Sequence, residues 1–188
     1  HQNSITLTNT SNTTDSTYTI ELIVGDPATG CDSILTSDTI TVFHNPDAGF
    51  ILSDIALCAP DIITVTDTSI TGGILSYVWT TVNTTPAITD PNAATTDITF
   101  SDNISGTSDF YDINLLVTDT RGCIDTATYN VELYTRPISS FNIDSVSCGP
   151  DTLSTTNNTL YATSYNWTVS ASNPTFPATV VNPTDFEP

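Results

Sequence analysis

The chain has 188 residues and a formal net charge of −19, with Arg121 and Arg136 as its two basic side chains. Such a surface argues against nucleic acid and against direct membrane insertion, because nucleic acid and anionic lipid both demand clustered Lys and Arg and no apolar run nears the ~20 residues of a span. With 38% hydrophobic and only 12% charged residues, the composition also argues against disorder.

About a fifth of the residues are Thr, whose branched Cβ favours extended backbone. Met and Lys are absent and Glu occurs only at positions 21, 132 and 187, so helix formers are scarce and an all-β chain is predicted. Within residues 46–136 a first strand is centred on Phe50, and a second runs over 62–67. Residues 77–82 carry a central Trp, and 96–100 form a short alternating strand. Tyr111, Ile113, Leu115 and Val117 share one face, with Asp112, Asn114 and Thr118 on the other. Ala127, Tyr129, Val131 and Leu133 repeat that alternation on the last strand of the complete unit. Period-2 patterns broken by turn residues every ~8–12 positions predict a sandwich of two antiparallel sheets.

The sequence echoes itself at a fixed spacing. Tyr18-Thr-Ile20-Glu-Leu22-Ile-Val24 returns as Tyr111-Asp-Ile113-Asn-Leu115-Leu-Val117. Gly30-Cys31 returns as Gly122-Cys123, Pro46 as Pro137, and Phe50 as Phe141. Cys58-Ala-Pro60-Asp61 is matched by Cys148-Gly-Pro150-Asp151, and Tyr77-Val-Trp79 by Tyr165-Asn-Trp167. The offsets run from 93 down to 88. The phase divides the chain into the C-terminal half of one repeat (1–45), a complete repeat (46–136) and the N-terminal half of the next (137–188). Joints at Asn45-Pro46 and Arg136-Pro137 leave almost no linker, so successive repeats are expected end to end with little hinge freedom. The chain opens at His1 without methionine and reads as a piece of something longer.

The order of these motifs resembles PKD (polycystic kidney disease-type) immunoglobulin-like domains. More narrowly, it resembles the Cys-bearing PKD repeats of giant surface and gliding-motility adhesins exported by type IX secretion in Bacteroidetes. The resemblance covers the whole chain, out of phase at both ends. One departure is the loop after the Trp: family members usually continue Asp-Phe-Gly-Asp-Gly, whereas Thr80-Thr81-Val82 and Thr168-Val169-Ser170 stand here. The resemblance implies tandem PKD-type β-sandwiches of about 90 residues in an extracellular, non-catalytic stalk or adhesive fibre.

Enzyme signatures are missing from the sequence: there is no HExxH, GxSxG, P-loop or GxGxxG pattern. Cys31, Cys58, Cys123 and Cys148 stand singly, without the paired spacing of zinc sites, and point to disulfides in an oxidising compartment. A Cys58–Cys123 bond within one repeat would have to join opposite poles of the sandwich. The alternative joins the Cys-x-Pro loop of one repeat to the Gly-Cys hairpin of the next, which would stiffen the array. Asp54, Asp61 and Asp119 are candidate weak calcium ligands, against the plainer reading that Asp stabilises turns. No other cofactor is expected. Trp79, Trp167, Tyr18 and Tyr111 are read as core aromatics rather than sugar-stacking platforms. Asn-x-Ser/Thr triplets begin at Asn9, Asn12, Asn83, Asn103, Asn157 and Asn166. Asp-Ser/Thr triplets resembling the O-glycosylation motif of Bacteroidetes make Ser16, Ser33, Thr39, Thr126, Ser145 and Thr152 candidate acceptors.

The leading expectation is a structural or adhesive region of a large surface protein, a glycoprotein fibre whose partners are neighbouring repeats and other surface or secretion-machinery proteins. Two alternatives stay open: an accessory spacer or binding module of a secreted hydrolase, and a filament subunit in which residues 137–188 of one copy complete residues 1–45 of another.

Overall fold

The computed structural model describes residues 4–70, 73–82, 86–143, 146, 148–149, 152–172, 179–181 and 183–184. Among these residues all regular structure is extended: fourteen strands form and no helix does, so no helix is long and apolar enough to cross a membrane. The strands are β1 (Ser16–Tyr18), β2 (Glu21–Asp26), β3 (Cys31–Thr36), β4 (Ile40–Val42), β5 (Phe50–Leu52), β6 (Ala56–Cys58) and β7 (Asp61–Asp67). They continue as β8 (Ile74–Thr81), β9 (Ala87–Ile88), β10 (Thr95–Phe100), β11 (Asp109–Asp119), β12 (Ile124–Tyr134), β13 (Phe141–Ile143) and β14 (Thr155–Asn157). Two sheets have four strands, in the orders β5-β7-β10-β9 and β6-β12-β11-β8; β1-β4, β2-β3 and β13-β14 form two-stranded sheets. The architecture is an immunoglobulin-like β-sandwich.

The chain divides into two compact units, one of residues 1–55, 62–99 and 111–131, the other of residues 56–61, 100–110 and 132–188. In the first unit the two large sheets meet face to face. Phe50 of β5 sets its ring edge-on to Trp79 of β8, with centroids 5.0 Å apart and planes at 83°. Ile63, Val65, Ile98, Ile113, Leu115, Val117 and Val131 are buried around them. These are alternate positions of β7, β10, β11 and β12, because successive side chains of a pleated strand point to opposite faces. Each such buried aliphatic or aromatic side chain contributes about 1.5–3 kcal/mol relative to exposure. β11 and β8 run antiparallel with Leu115 opposite Trp79 and Val117 opposite Tyr77, and the register shifts between Thr118 and Asp119.

In the second unit, Leu57, Ala59, Phe100 and Leu133 are buried. The sequence predicts a single strand around Phe50, but a second short strand, β6, follows it and joins the other sheet. β6 pairs in parallel with the end of β12, Leu57 opposite Leu133 and Cys58 opposite Tyr134. Three residues with alternating burial are too short a signal to stand out in sequence.

The sequence echo has a geometric counterpart. Phe50 pairs with Asp67, Ile51 with Thr66 and Leu52 with Val65. Phe141, Asn142 and Ile143 pair in the same manner with Asn157, Thr156 and Thr155. Phe141 meets Trp167 edge-on at 5.1 Å and 77°, as Phe50 meets Trp79. The isolated bridges Asp47–Ile70 and Ile138–Leu160 correspond as well.

Candidate functional site

Of the chain's two Arg residues, Arg121 holds residues that precede the first proline joint, and Arg136, beside the second joint, holds Asp102 of its own repeat. Arg121 lies on the Gly-Cys hairpin between β11 and β12. That hairpin is built on Asp119, whose Oδ1 accepts the backbone amides of Arg121 at 2.8 Å and Cys123 at 2.9 Å. The side chain of Asp119 is 1% exposed. Burial works against its charge, but the amides of Cys123 and Arg121 and the Arg121 guanidinium outweigh it, and the carboxyl titrates below its ordinary range. Held at Nε by Asp119 Oδ2 at 2.9 Å, the guanidinium reaches the residues that precede the first joint. Its Nη1 meets Asp15 Oδ1 at 3.0 Å, its Nη2 lies 3.3 Å from His44 Nε2, and its Cζ stands 4.8 Å over the Phe43 ring.

Asp15 gathers the other side of this cluster. It accepts the backbone amide of His44 at 3.1 Å and lies 2.6 Å from His44 Nδ1. Those two bonds, with the nearby Arg121 charge, lower its pKa. Pro46 is buried immediately afterwards, and the Ala48 amide donates to Asp125 Oδ2 at 2.8 Å. The chain therefore enters residues 46–136 held on both sides of the proline.

The second joint uses different chemistry. Arg136 forks onto the Asp102 carboxylate through Nε and Nη2, which lowers the Asp102 pKa, and its backbone amide donates to the Asn103 carbonyl at 2.7 Å. Asn103 is 3% exposed. Its amide bridges the carbonyls of Thr107 and Leu133, while its Oδ1 accepts the Ser105 amide. Asn9 does the same in the first unit, bridging the carbonyls of Thr14 and Val42 and accepting the Ser11 amide. The Asn residues of these two Asn-x-Ser/Thr triplets thus staple their own loops. A closely set pair completes this joint: an ideal Cβ on Gly106, at φ +91°, would lie 2.6 Å from Tyr161 Cε1.

The remaining candidates are placed as follows. Trp79 is 1% exposed and donates from Nε1 to the Ala93 carbonyl at 2.8 Å. Tyr18, Tyr111 and Trp167 are half-buried. Trp167 has Phe141 on one side and lines a cavity of about 330 Å³ together with Phe141, Tyr165 and Asn157. All four cysteines are free thiols, with Cys31, Cys58 and Cys148 exposed and Cys123 half-buried. Asp54 and Asp61 are exposed, and Asp54 accepts its neighbour's amide, that of Ile55. Asp119 is occupied by its own turn. Among the described residues no three potential ligands gather for a metal ion. Ser33, Thr39, Thr126 and Thr152 are exposed and Ser16 is half-buried in β1; Ser145 lies outside the described residues. Of the other Asn triplets, Asn12 and Asn166 are exposed, Asn157 is buried and Asn83 lies outside the described residues.

Sequence reasoning does not find the Asp15–His44–Arg121 cluster, whose members lie up to 106 residues apart. The available signal is that both cations of an acidic chain stand close to motifs at the joints. The Asn staples also carry a signal, since Asn9 and Asn103 fall at nearly the same phase before Tyr18 and Tyr111.

No protein-family model matches the chain and no curated protein does. Among solved structures it is similar to the PKD1 domain of the Vibrio cholerae metalloprotease PrtV, with 24% identity, 48% of this chain and 99% of that chain covered, and a TM-score of 0.37. It is also similar to the PKD1 domain of Vibrio anguillarum Epp, with 20% identity, 49% and 96% coverage and a TM-score of 0.37. A carbohydrate-binding module of the β-sandwich superfamily is similar at 14% identity, with 60% and 52% coverage and a TM-score of 0.40. The fold assignment itself rests on the strand order and registers given above.

Proposed function

We propose that the chain is a non-catalytic spacer segment of an extracellular, cell-surface PKD-like array, divided at residues 1–45, 46–136 and 137–188. In this reading the domains hold an adhesive tip away from the cell or form the body of a fibre. The observation that carries it is the use of charge at the first joint, where Asp15, His44 and Phe43 of residues 1–45 converge on Arg121 of residues 46–136. A spacer transmits position only if its joints resist bending, and a partly covered, multi-contact ion pair restrains a joint more than a lone surface pair does. The lysine-free composition and single cysteines fit an oxidising exterior.

Nitrogen-15 relaxation on the full chain tests the reading. The amides of Phe43, His44 and Asn45 are expected to show order parameters near those of rigid backbone, about 0.85, falling in Arg121→Ala. Joint amides as mobile as free loops in the unmodified chain would remove the basis for a stiff spacer.

A further inference from the structure

Among the described residues Tyr161 is the one non-glycine with a positive φ, +62°. A bulky L side chain rarely adopts that conformation, because its Cβ crowds the following carbonyl. Tyr161 is also 45% exposed, so it is not held there by burial in a core. Its ring lies against Gly106 of the preceding repeat. An ideal Cβ on Gly106 would stand 2.6 Å from Cε1, 3.0 Å from Cζ and 3.3 Å from Cδ1 of that ring. Each side of this contact is tied to one side of Pro137. Before the proline, the Gly106 amide donates to Thr135 Oγ1 at 3.0 Å and the Arg136 amide to the Asn103 carbonyl at 2.7 Å. After it, Ile138 and Leu160 exchange backbone bonds of 3.0 and 2.9 Å, which places Tyr161 directly after a pinned residue.

The equivalent positions at the first joint have the sizes reversed. Counting back from the Ser-Tyr-x-Trp motif, Tyr161 stands where the complete repeat has Gly73. Gly73 shares the positive φ, at +135°, and a Cβ there would meet Thr120 at an ordinary 3.6 Å. The loops differ in the opposite sense. Asn103, Ser105 and Thr107 correspond to Asn9, Ser11 and Thr14, because each Asn takes the Ser amide and donates to the Thr carbonyl. Between that Ser and Thr stands Gly106 alone in one loop and Asn12-Thr13 in the other. The loop trimmed to glycine therefore meets the strand start that carries a ring. The strand start reduced to glycine belongs to the repeat whose preceding loop keeps its side chains.

We propose that the loop of residues 103–107 is a socket for one aromatic ring of the repeat that follows it, and that Gly106 and Tyr161 together select that neighbour. The partner it fits is a repeat with an aromatic residue in the left-handed conformation where its Tyr-x-Trp strand begins. A neighbour built like residues 46–136, with glycine at that place, leaves the socket unfilled. A loop built like residues 9–14 puts side chains where the ring lies. Selection by a filled socket on one side and a clash on the other discriminates between otherwise similar partners. The backbone strain at Tyr161 is kept because the ring contact across Pro137 depends on it. The selection stands apart from the spacer reading, which asks only that joints be stiff.

The test is amide hydrogen exchange on the full chain, read by NMR at Arg136, whose amide bond lies beside the socket, and at Leu115 in the closed sandwich. Tyr161→Gly relieves the backbone strain, so on backbone grounds alone it would slow exchange at Arg136 or leave it unchanged. Loss of the ring is expected to speed it by roughly tenfold instead. Gly106→Asn copies Asn12 with a residue that accepts positive φ, and it is expected to have an effect of similar size. The double variant should exchange no faster than the faster single one, because both substitutions break one contact. Tyr161→Phe keeps the ring and should restore the original rate, while Leu115 keeps its protection throughout. In the unmodified chain, nuclear Overhauser contacts are expected between the Tyr161 ring protons and the Gly106 α-protons. Their absence, an Arg136 rate unmoved or slowed in Tyr161→Gly, or multiplying effects in the double variant overturns the proposal. So does an equal loss of protection at Leu115, since the ring would then support the fold at large rather than the joint.

Discussion

Trp79 and Trp167 occupy the same Tyr-x-Trp motif, so truncating each one measures what completion of the sandwich contributes. Trp79 is 1% exposed, bonded from Nε1 to the Ala93 carbonyl and edge-on to Phe50. Removing a buried aromatic side chain costs about 3–5 kcal/mol, and leaving the Ala93 carbonyl without its donor falls within the same order. For a domain stable by only ~5–15 kcal/mol, Trp79→Ala should lower the melting temperature by roughly 15–30 °C. Trp167, with Phe141 edge-on, is only half-buried and borders a cavity, so Trp167→Ala should cost about 1–2 kcal/mol. Urea titrations followed by far-UV CD at low concentration give both values, and the single Trp left in each variant reports its own surroundings by fluorescence. Equal costs for the two substitutions would refute the argument that only the first sandwich is closed.

Two further predictions concern the joints. Folding lowers the pKa of Asp119 and Asp15, so their contribution is complete above the ordinary carboxylate value of ~3.9 and fades as pH falls below it. The urea midpoint of the unmodified chain should exceed that of Asp119→Asn at neutral pH and converge with it in acid; a gap independent of pH would dissociate stability from this carboxylate. Gly106→Ala should destabilise more than Gly122→Ala. Both glycines have positive φ, +91° and +88°, but only Gly106 has a ring within reach of a new Cβ. The shared backbone strain is about 1–2 kcal/mol, and any excess in a thermal melt of Gly106→Ala measures the Tyr161 contact. Equal melting temperatures would show that Tyr161 yields freely.

What was legible in the sequence is what is local and periodic. Alternation at Ile113, Leu115 and Val117 marks the buried face of β11 because strand geometry sends every second side chain inward. The Phe, Tyr-x-Trp and Gly-Cys echoes foretell matching registers at Phe50–Asp67 and Phe141–Asn157, since equivalent side chains seek equivalent partners. Tertiary structure alone decided the rest. Arg121 meets Asp15 across 106 positions, a contact no periodicity encodes. Asn9 and Asn103 stand in ordinary Asn-x-Ser/Thr triplets, and only the fold brings the carbonyls of Val42 and Leu133 within reach of their amides. Trp79 and Trp167 have the same local sequence motif, yet one is buried and the other half-exposed. Burial belongs to the assembled sheets, and a residue's own strand supplies only one side of its surroundings.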